Sequence, residues 1–296
     1  MKSRQLGIAL GSGAARGWSH IVILRELETM NLRPGMVAGT SIGALVGAAY
    51  CLGKLDALEA WVRDMRWQDV AGYFDIHLSG GLITGERLMD ALAEMIGDAD
   101  FNDCLIPFAA VATDLETGQE RWLREGKVLD AVRASIALPI LFSPVRHEET
   151  WLVDGGLVNP LPISLCRAMG AERVIAVDLQ GDALERQTLK AAQPIQENTL
   201  LGRARRAMAD WLGREEGPNM PSILDVMSHS INIMALRISR SRMAGDPPDV
   251  LLTPRMPQIG MMDFHRAEEA LQAGFQAVER GRSALLDLVE DIERKK

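Results

Sequence analysis

The sequence predicts an α/β fold: three layers, α/β/α, around a mostly parallel central sheet, with a helical C-terminal elaboration. Three observations support this. Short apolar strand-like segments alternate with amphipathic helical ones over roughly the first 180 residues, the order that builds parallel sheets covered on both faces. Two of the strand segments, residues 107–113 and 173–179, are nearly continuous in apolar residues, as befits strands buried on both sides. After Asp182 the chain turns polar and helical, interrupted at Pro194 and at Gly217-Pro218.

Residues 2–10 read as the first strand, with Leu6, Ile8 and Leu10 apolar and Gly11 stopping it. Residues 19–30 show helical spacing at Ile21, Leu24, Leu27 and Met30, ending near Asn31 and Pro34. A short buried strand at 36–38 leads into a helix at 42–50 that is dense in Gly and Ala. Residues 54–66 and 86–96 are amphipathic helices, the second carrying Leu88, Leu92 and Ile96. The strand at 107–113 turns at Thr117-Gly118 into a hairpin partner at 120–123. A helix at 129–135, a strand at 150–153, a helix at 164–169 and a strand at 173–179 complete a core over residues 5–180. The elaboration, 181–296, is mainly helical with one strand near 248–253. Asp263 is expected to cap a long last helix in which Phe264, Leu271, Phe275, Val278, Leu285, Val289 and Ile292 keep helical spacing.

Composition narrows the function. The 296 residues are 47% apolar and 24% charged, which excludes wholesale disorder. Forty acidic against 32 basic residues give a net charge of −8, so a polyanion such as nucleic acid is a poor partner. Cys51, Cys104 and Cys166 are widely spaced, with no CxxC and no His cluster. Neither a disulfide framework nor a metal site is expected, and a cytoplasmic setting follows. The apolar run behind the basic start is too short for a signal peptide. The charge-free window 34–53 has the length of a membrane span but contains Pro34 and five glycines, which suits a strand, turn and helix better.

Three motifs carry chemistry. Gly39-Thr40-Ser41-Ile42-Gly43 is a G-x-S-x-G sequence between a predicted strand and a predicted helix, the setting of a nucleophile elbow. Gly11-Ser12-Gly13-Ala14-Ala15-Arg16-Gly17 also joins a strand to a helix. A dinucleotide site would need a carboxylate at the end of the second strand, where Gly39-Thr40-Ser41 stands instead, and its glycine spacing is one residue shorter. An oxyanion loop presenting the Gly13 and Ala14 N–H groups is the preferred reading over a plain glycine turn. Val153-Asp154-Gly155-Gly156 closes a strand. A nucleophilic serine needs a base, and none of His20, His77, His147, His229 and His265 occupies a suitable loop. Asp154 is therefore the candidate base, provided that burial raises its proton affinity; the alternative is an ordinary Asp-Gly turn.

In this order the three motifs resemble the patatin-like serine lipid hydrolases, in particular their bacterial neuropathy-target-esterase-like branch, which use a Ser–Asp dyad. The resemblance extends to Ala134-Ser135-Ile136-Ala137-Leu138-Pro139-Ile140-Leu141-Phe142-Ser143-Pro144, to Ala112–Gly118, and to residues 243–248 and 263–267, so that it spans nearly the whole chain. It implies Ser41 as nucleophile, Asp154 as base, and residues Ser12 to Gly17 as an oxyanion loop braced by Arg16. The family's loop commonly has glycine where this chain has Ser12 and Ala14. If either position takes a positive φ, a side chain there adds strain.

The expected function is a cofactor- and metal-independent serine esterase acting on a lipid acyl ester, with lysophospholipid the best single class. The alternative is a weakly active member of the fold serving as a regulatory or lipid-sensing module. Residues 200–214 form a basic amphipathic pattern around Trp211. A solvated basic face on a packed helix is the preferred reading of it, and contact with the inner membrane face the other. Residues 222–243, opened by Pro221-Ser222 and ending in Arg237, Arg240 and Arg242, suit either a cover for the site or an oligomer contact.

Overall fold

A computed structural model describes residues 6–73, 85–139, 141–181 and 223–294. β1 (Leu6–Leu10) is followed by α1 (Ser19–Thr29), β2 (Met36–Thr40), α2 (Ile42–Cys51), α3 (Leu55–Asp64), α4 (Trp67–Tyr73) and α5 (Glu86–Ile96). The hairpin β3 (Phe108–Asp114) and β4 (Glu120–Leu123) leads to α6 (Val128–Ser135). A second hairpin, β5 (Val145–His147) and β6 (Thr150–Asp154), precedes α7 (Ile163–Ala168) and β7 (Arg173–Val177). Then come α8 (Ile223–Gly245), β8 (Val250–Leu252) and α9 (Ala267–Arg294).

Among the described residues the strands form one eight-stranded sheet. β3, β2, β1, β7 and β8 run parallel in that order, and the hairpin strands join antiparallel beside β3. The register around β3 sets up the site. β4 pairs with Ala110 to Thr113, overlapping the partners of both β2, which end at Val111, and β6, which start at Ala112. A strand has only two edges, so β2 and β6 must share the edge opposite β4. β2 stops at Thr40 beside Val111, and β6 takes over with Asp154 beside Ala112. Ser41 and Asp154 thus meet where β2 and the antiparallel β6 face each other with their C-terminal ends.

Side chains alternate across the sheet and divide the core. Ile8, Leu10, Val37, Ile175 and Val177 face a large apolar layer built with α1, α2, α3 and α9. Ala9, Ala38, Ala109 and Ala176 face the other way, and their small size lets α7 lie close through Leu165 and Cys166. A Cβ at Gly7 would come within 2.7 Å of the Ala171 Cβ, so that approach requires glycine. α9 packs against α1, where a Cβ on Gly274 would stand 2.5 Å from the Ser19 carbonyl oxygen.

Some expectations change. α4 was not foreseen; its Trp67-Gln68-Asp69-Val70 start buries only Val70 deeply, too little for a periodic signal. Asp263 does not cap α9. Its carboxylate accepts the Gly260 N–H at 2.8 Å, closing a turn that ends before Ala267. Phe264 lies in that turn against Trp18, and Phe275 is 41% exposed. The basic pattern at 200–214 and His77 lie outside the described residues. Among the described residues, no helix is long and apolar enough to cross a membrane.

Candidate active site

Ser41 sits between β2 and α2 with φ 57° and ψ −125°, a left-handed conformation that a serine adopts at a cost of about 1–3 kcal/mol. The turn is sharp enough to require glycine on both sides. A Cβ on Gly39 would lie 2.5 Å from the Ala44 Cα, and one on Gly43 2.6 Å from the Leu10 carbonyl carbon. The Ser41 N–H is held at 2.9 Å by the Ser135 hydroxyl, which donates its own proton to the Val111 carbonyl at 2.6 Å. The strained residue is thereby tied to α6 and β3.

The Ser41 hydroxyl donates to Asp154 Oδ2 at 2.6 Å. The other carboxylate oxygen accepts the Gly156 N–H at 2.6 Å. Backbone bonds fix the aspartate: its N–H donates to Ala137 O at 2.9 Å, and Thr113 Oγ1 donates to its carbonyl at 2.8 Å. Gly155 lies so close to Val111 that a Cβ would meet its carbonyl carbon at 2.7 Å. Asp154 is 1% exposed. Burial pushes its carboxyl up to about 6, against the opposing pull of the Ser41 and Gly156 hydrogen bonds. At that value it is ionised at neutral pH yet basic enough to receive a proton.

The loop after β1 faces this pair. The Ser12 N–H donates to Pro160 O at 2.8 Å and is unavailable to a ligand. The next two N–H groups have no partner among the described residues, and each is aimed by what holds the carbonyl of its own peptide. A trans peptide points C=O and N–H in opposite directions. Gln180 Nε2 donates to Ser12 O at 3.4 Å, turning the Gly13 N–H away from it. Arg16 Nε donates to Gly13 O at 3.1 Å, turning the Ala14 N–H likewise. Arg16 is buried and also bonds Leu179 O at 2.7 Å and Asn232 Oδ1 of α8 at 3.1 Å. Ala14 has φ 49°, the positive value at which a methyl group adds strain. Gly17 lines neither of the cavities at Ser41; a Cβ there would stand 2.8 Å from the Ile42 Cβ, so it lets the loop pack onto the start of α2.

Two cavities meet at Ser41. Ser12, Gly13, Ala14, Arg16, Ser41, Asp154 and Gln180 line the more polar of the two, which Leu138, Ile231 and Met261 also wall; its empty space, counted out into open solvent, is about 370 Å³. The second, about 580 Å³ counted in the same way, is apolar and lined by Trp18, Leu45, Trp61, Leu88, Ile136 and Phe142 among others. Its indoles are satisfied elsewhere, Trp18 Nε1 by Phe264 O at 3.1 Å and Trp61 Nε1 by the Tyr73 hydroxyl at 3.3 Å. Ala14, Ser41 and Leu138 belong to both cavities.

Sequence reasoning left Ser135 and Gln180 without a role. Ser135 lies within the Ala134–Pro144 segment, but its bond to Ser41 spans 94 residues; Gln180 stands in no motif. None of the four described histidines is bonded to Ser41 or Asp154. His20 is buried against the Gly11 carbonyl at 2.9 Å, and its pKa is lowered to about 4 by that burial. Among the described residues, no group of three His, Cys, Asp or Glu side chains could hold a metal ion.

Residues 8–167 match the family model of patatin-like phospholipases. An uncharacterised NTE family protein of Mycobacterium tuberculosis is 28% identical over 92% of this chain and 89% of its own length. A second such protein from the same organism is 30% identical over 97% of this chain, which spans 48% of it. Lysophospholipase NTE1 of Saccharomyces cerevisiae is 24% identical over 98% of this chain, matching 17% of its own length. Among solved structures, VipD from Legionella pneumophila superposes with a TM-score of 0.53 at 12% identity, covering 95% of this chain and 67% of VipD, a likeness of fold.

Proposed function

The chain belongs to the patatin-like phospholipase family, and from that membership and the site's geometry we propose that it is a serine lipid acyl hydrolase of the esterase or lysophospholipase type. The observation that carries the reading is the 2.6 Å hydrogen bond from the Ser41 hydroxyl to a buried carboxylate whose pKa is raised to about 6. Ser41 Oγ attacks the ester carbonyl as its proton passes to Asp154 Oδ2. The oxyanion is held by the Gly13 and Ala14 N–H groups. Collapse of the tetrahedral intermediate breaks the ester C–O bond, and Asp154 returns the proton to the departing alcohol. Water, deprotonated by Asp154, then attacks the acyl-enzyme, and collapse frees the fatty acid as Asp154 returns that proton to Ser41 Oγ. The apolar cavity suits an acyl chain and the polar one the alcohol side of the ester. The lysophospholipase named among the relatives supports a single-chain lipid as substrate.

A second reading, a weakly active regulatory or lipid-sensing module, draws on Ala14 at φ 49°, where glycine would be unstrained. A fluorophosphonate probe separates the two. Hydrolase function predicts labelling that vanishes in Ser41→Ala and slows by a factor on the order of 100 or more in Asp154→Asn. Folded wild-type protein that remains unlabelled overturns the hydrolase reading.

A further inference from the structure

Gln180 is 3% exposed, stands three residues past the C-terminal end of β7, and lines the same cavity as Ser41 and Asp154. Its backbone N–H donates to Asp178 Oδ1 at 2.9 Å, and its side-chain Nε2 donates to Ser12 O at 3.4 Å. Its Oε1 is buried and accepts no hydrogen bond among the described residues. The amide cannot simply be turned over, because that would set Oε1 against the Ser12 carbonyl, acceptor against acceptor. Buried acceptors left without a donor are costly, and one held in a reactive cavity marks a place where a ligand donor belongs.

Resting on the hydrolase reading above, we propose that Gln180 Oε1 recognises a free hydroxyl on the substrate alcohol, next to the scissile ester. An amide oxygen only accepts, so its partner must donate. A neutral donor suits the cavity better than an ammonium group, because the buried Arg16 guanidinium shares it. The position fits the group. Gln180 grips the Ser12–Gly13 peptide at the edge opposite the Gly13 N–H and lines the same cavity as Ser41, so Oε1 stands about 6–8 Å from the oxyanion position, within the span of a hydroxyl one carbon beyond the ester plus its hydrogen bond. A monoacyl glycerolipid carries a hydroxyl on the carbon adjoining the ester-bearing one. In a diacyl lipid that oxygen is acylated and has no proton to give. Gln180 would therefore select single-chain over double-chain lipids by hydrogen-bond polarity, in addition to any selection by cavity size.

The test compares kcat/KM for 1-acyl-glycero-3-phosphocholine with that for its 2-deoxy analogue, which lacks the hydroxyl without added bulk. The wild-type enzyme is expected to favour the hydroxylated ester by about tenfold or more, and Gln180→Met to bring the ratio to about one whatever its absolute rate. The ratio is read because loss of Nε2 also loosens Ser12 and lowers turnover of both esters together. A wild-type ratio near one, as when an ordered water satisfies Oε1, overturns the assignment regardless of how the variant behaves. So does a preference retained in Gln180→Met. Failure of the hydrolase reading looks different: no probe labelling at Ser41 and no turnover of either ester, and the Gln180 assignment falls with it.

Discussion

Asp154 binds its proton more tightly in the folded chain than in the unfolded one, at about 6 against an ordinary value near about 3.9. Two opposite consequences follow for catalysis and stability. As the proposed general base it must be ionised, so kcat/KM and the probe labelling rate should rise with a midpoint near pH 6 and level off above it. For stability the sign reverses. A raised pKa stabilises the fold fully below the unfolded value, and that contribution, about 2–3 kcal/mol, is lost as pH rises from about 4 through 6. Asp154→Asn keeps an oxygen for the Gly156 N–H and removes the buried charge. The variant should therefore be inactive yet at least as stable as the wild type at pH 8, with a flatter melting temperature between pH 4 and 7. Thermal denaturation across that range checks it, and a variant markedly less stable at pH 8 would refute the burial account. Ser41 and Asp154 were legible in the sequence as candidates because each stands in a local glycine-rich signature. The bond between them was not, since it depends on β6 taking over the edge of β3 where β2 stops.

At the scale of elements, the loop between β1 and α1 is a tensioned connector. Arg16 grips its Gly13 carbonyl from one side and reaches Asn232 of α8 on the other, so the aim of the Ala14 N–H depends on a helix more than two hundred residues away. Ala14 bears the strain, at φ 49°. Glycine there relieves about 1 kcal/mol of left-handed strain and restores a similar loss of chain entropy on folding, so Ala14→Gly should leave stability within about 1 kcal/mol of wild type. Valine cannot follow that backbone, and Ala14→Val should swing the N–H out of position. Loss of an oxyanion donor costs on the order of 100-fold, so probe labelling should slow by about that factor in Ala14→Val while Ala14→Gly labels at least as fast as wild type. Equal rates in the two variants would remove Ala14 from the oxyanion site. A large acceleration in Ala14→Gly would instead favour a protein held at low activity by its loop. The glycine pattern made this loop readable as an oxyanion candidate. What aims it, Gln180 from beyond β7 and Arg16 through α8, arises from packing and has no sequence period.

For the whole molecule, the parallel sheet was readable because both its faces are buried and its strands are apolar runs, whereas the apolar cavity was not readable at all. Its walls come from the turn before α1 (Trp18), from α2 (Leu45), α3 (Trp61), α5 (Leu88), the segment after α6 (Ile136 and Phe142) and the turn before α9 (Phe264). Each of these residues is one apolar side chain in its own segment, and only their convergence leaves space beside Ser41. If that space holds the acyl chain, narrowing it should change chain-length preference instead of abolishing chemistry. Leu88 suits the experiment: it is only partly buried on α5, whose inward Leu92 and Ile96 anchor the helix independently. Leu88→Trp adds bulk to the cavity wall without removing core packing. Each methylene excluded from an apolar site forfeits about 0.8 kcal/mol, so loss of room for three or four of them should lower the ratio of kcat/KM for long-chain over short-chain p-nitrophenyl esters by about 50- to 200-fold. A ratio unchanged in a variant that still labels with the probe would show that the acyl chain lies elsewhere. A fall in both rates by one common factor would point to damage at Ser41 and not to the cavity.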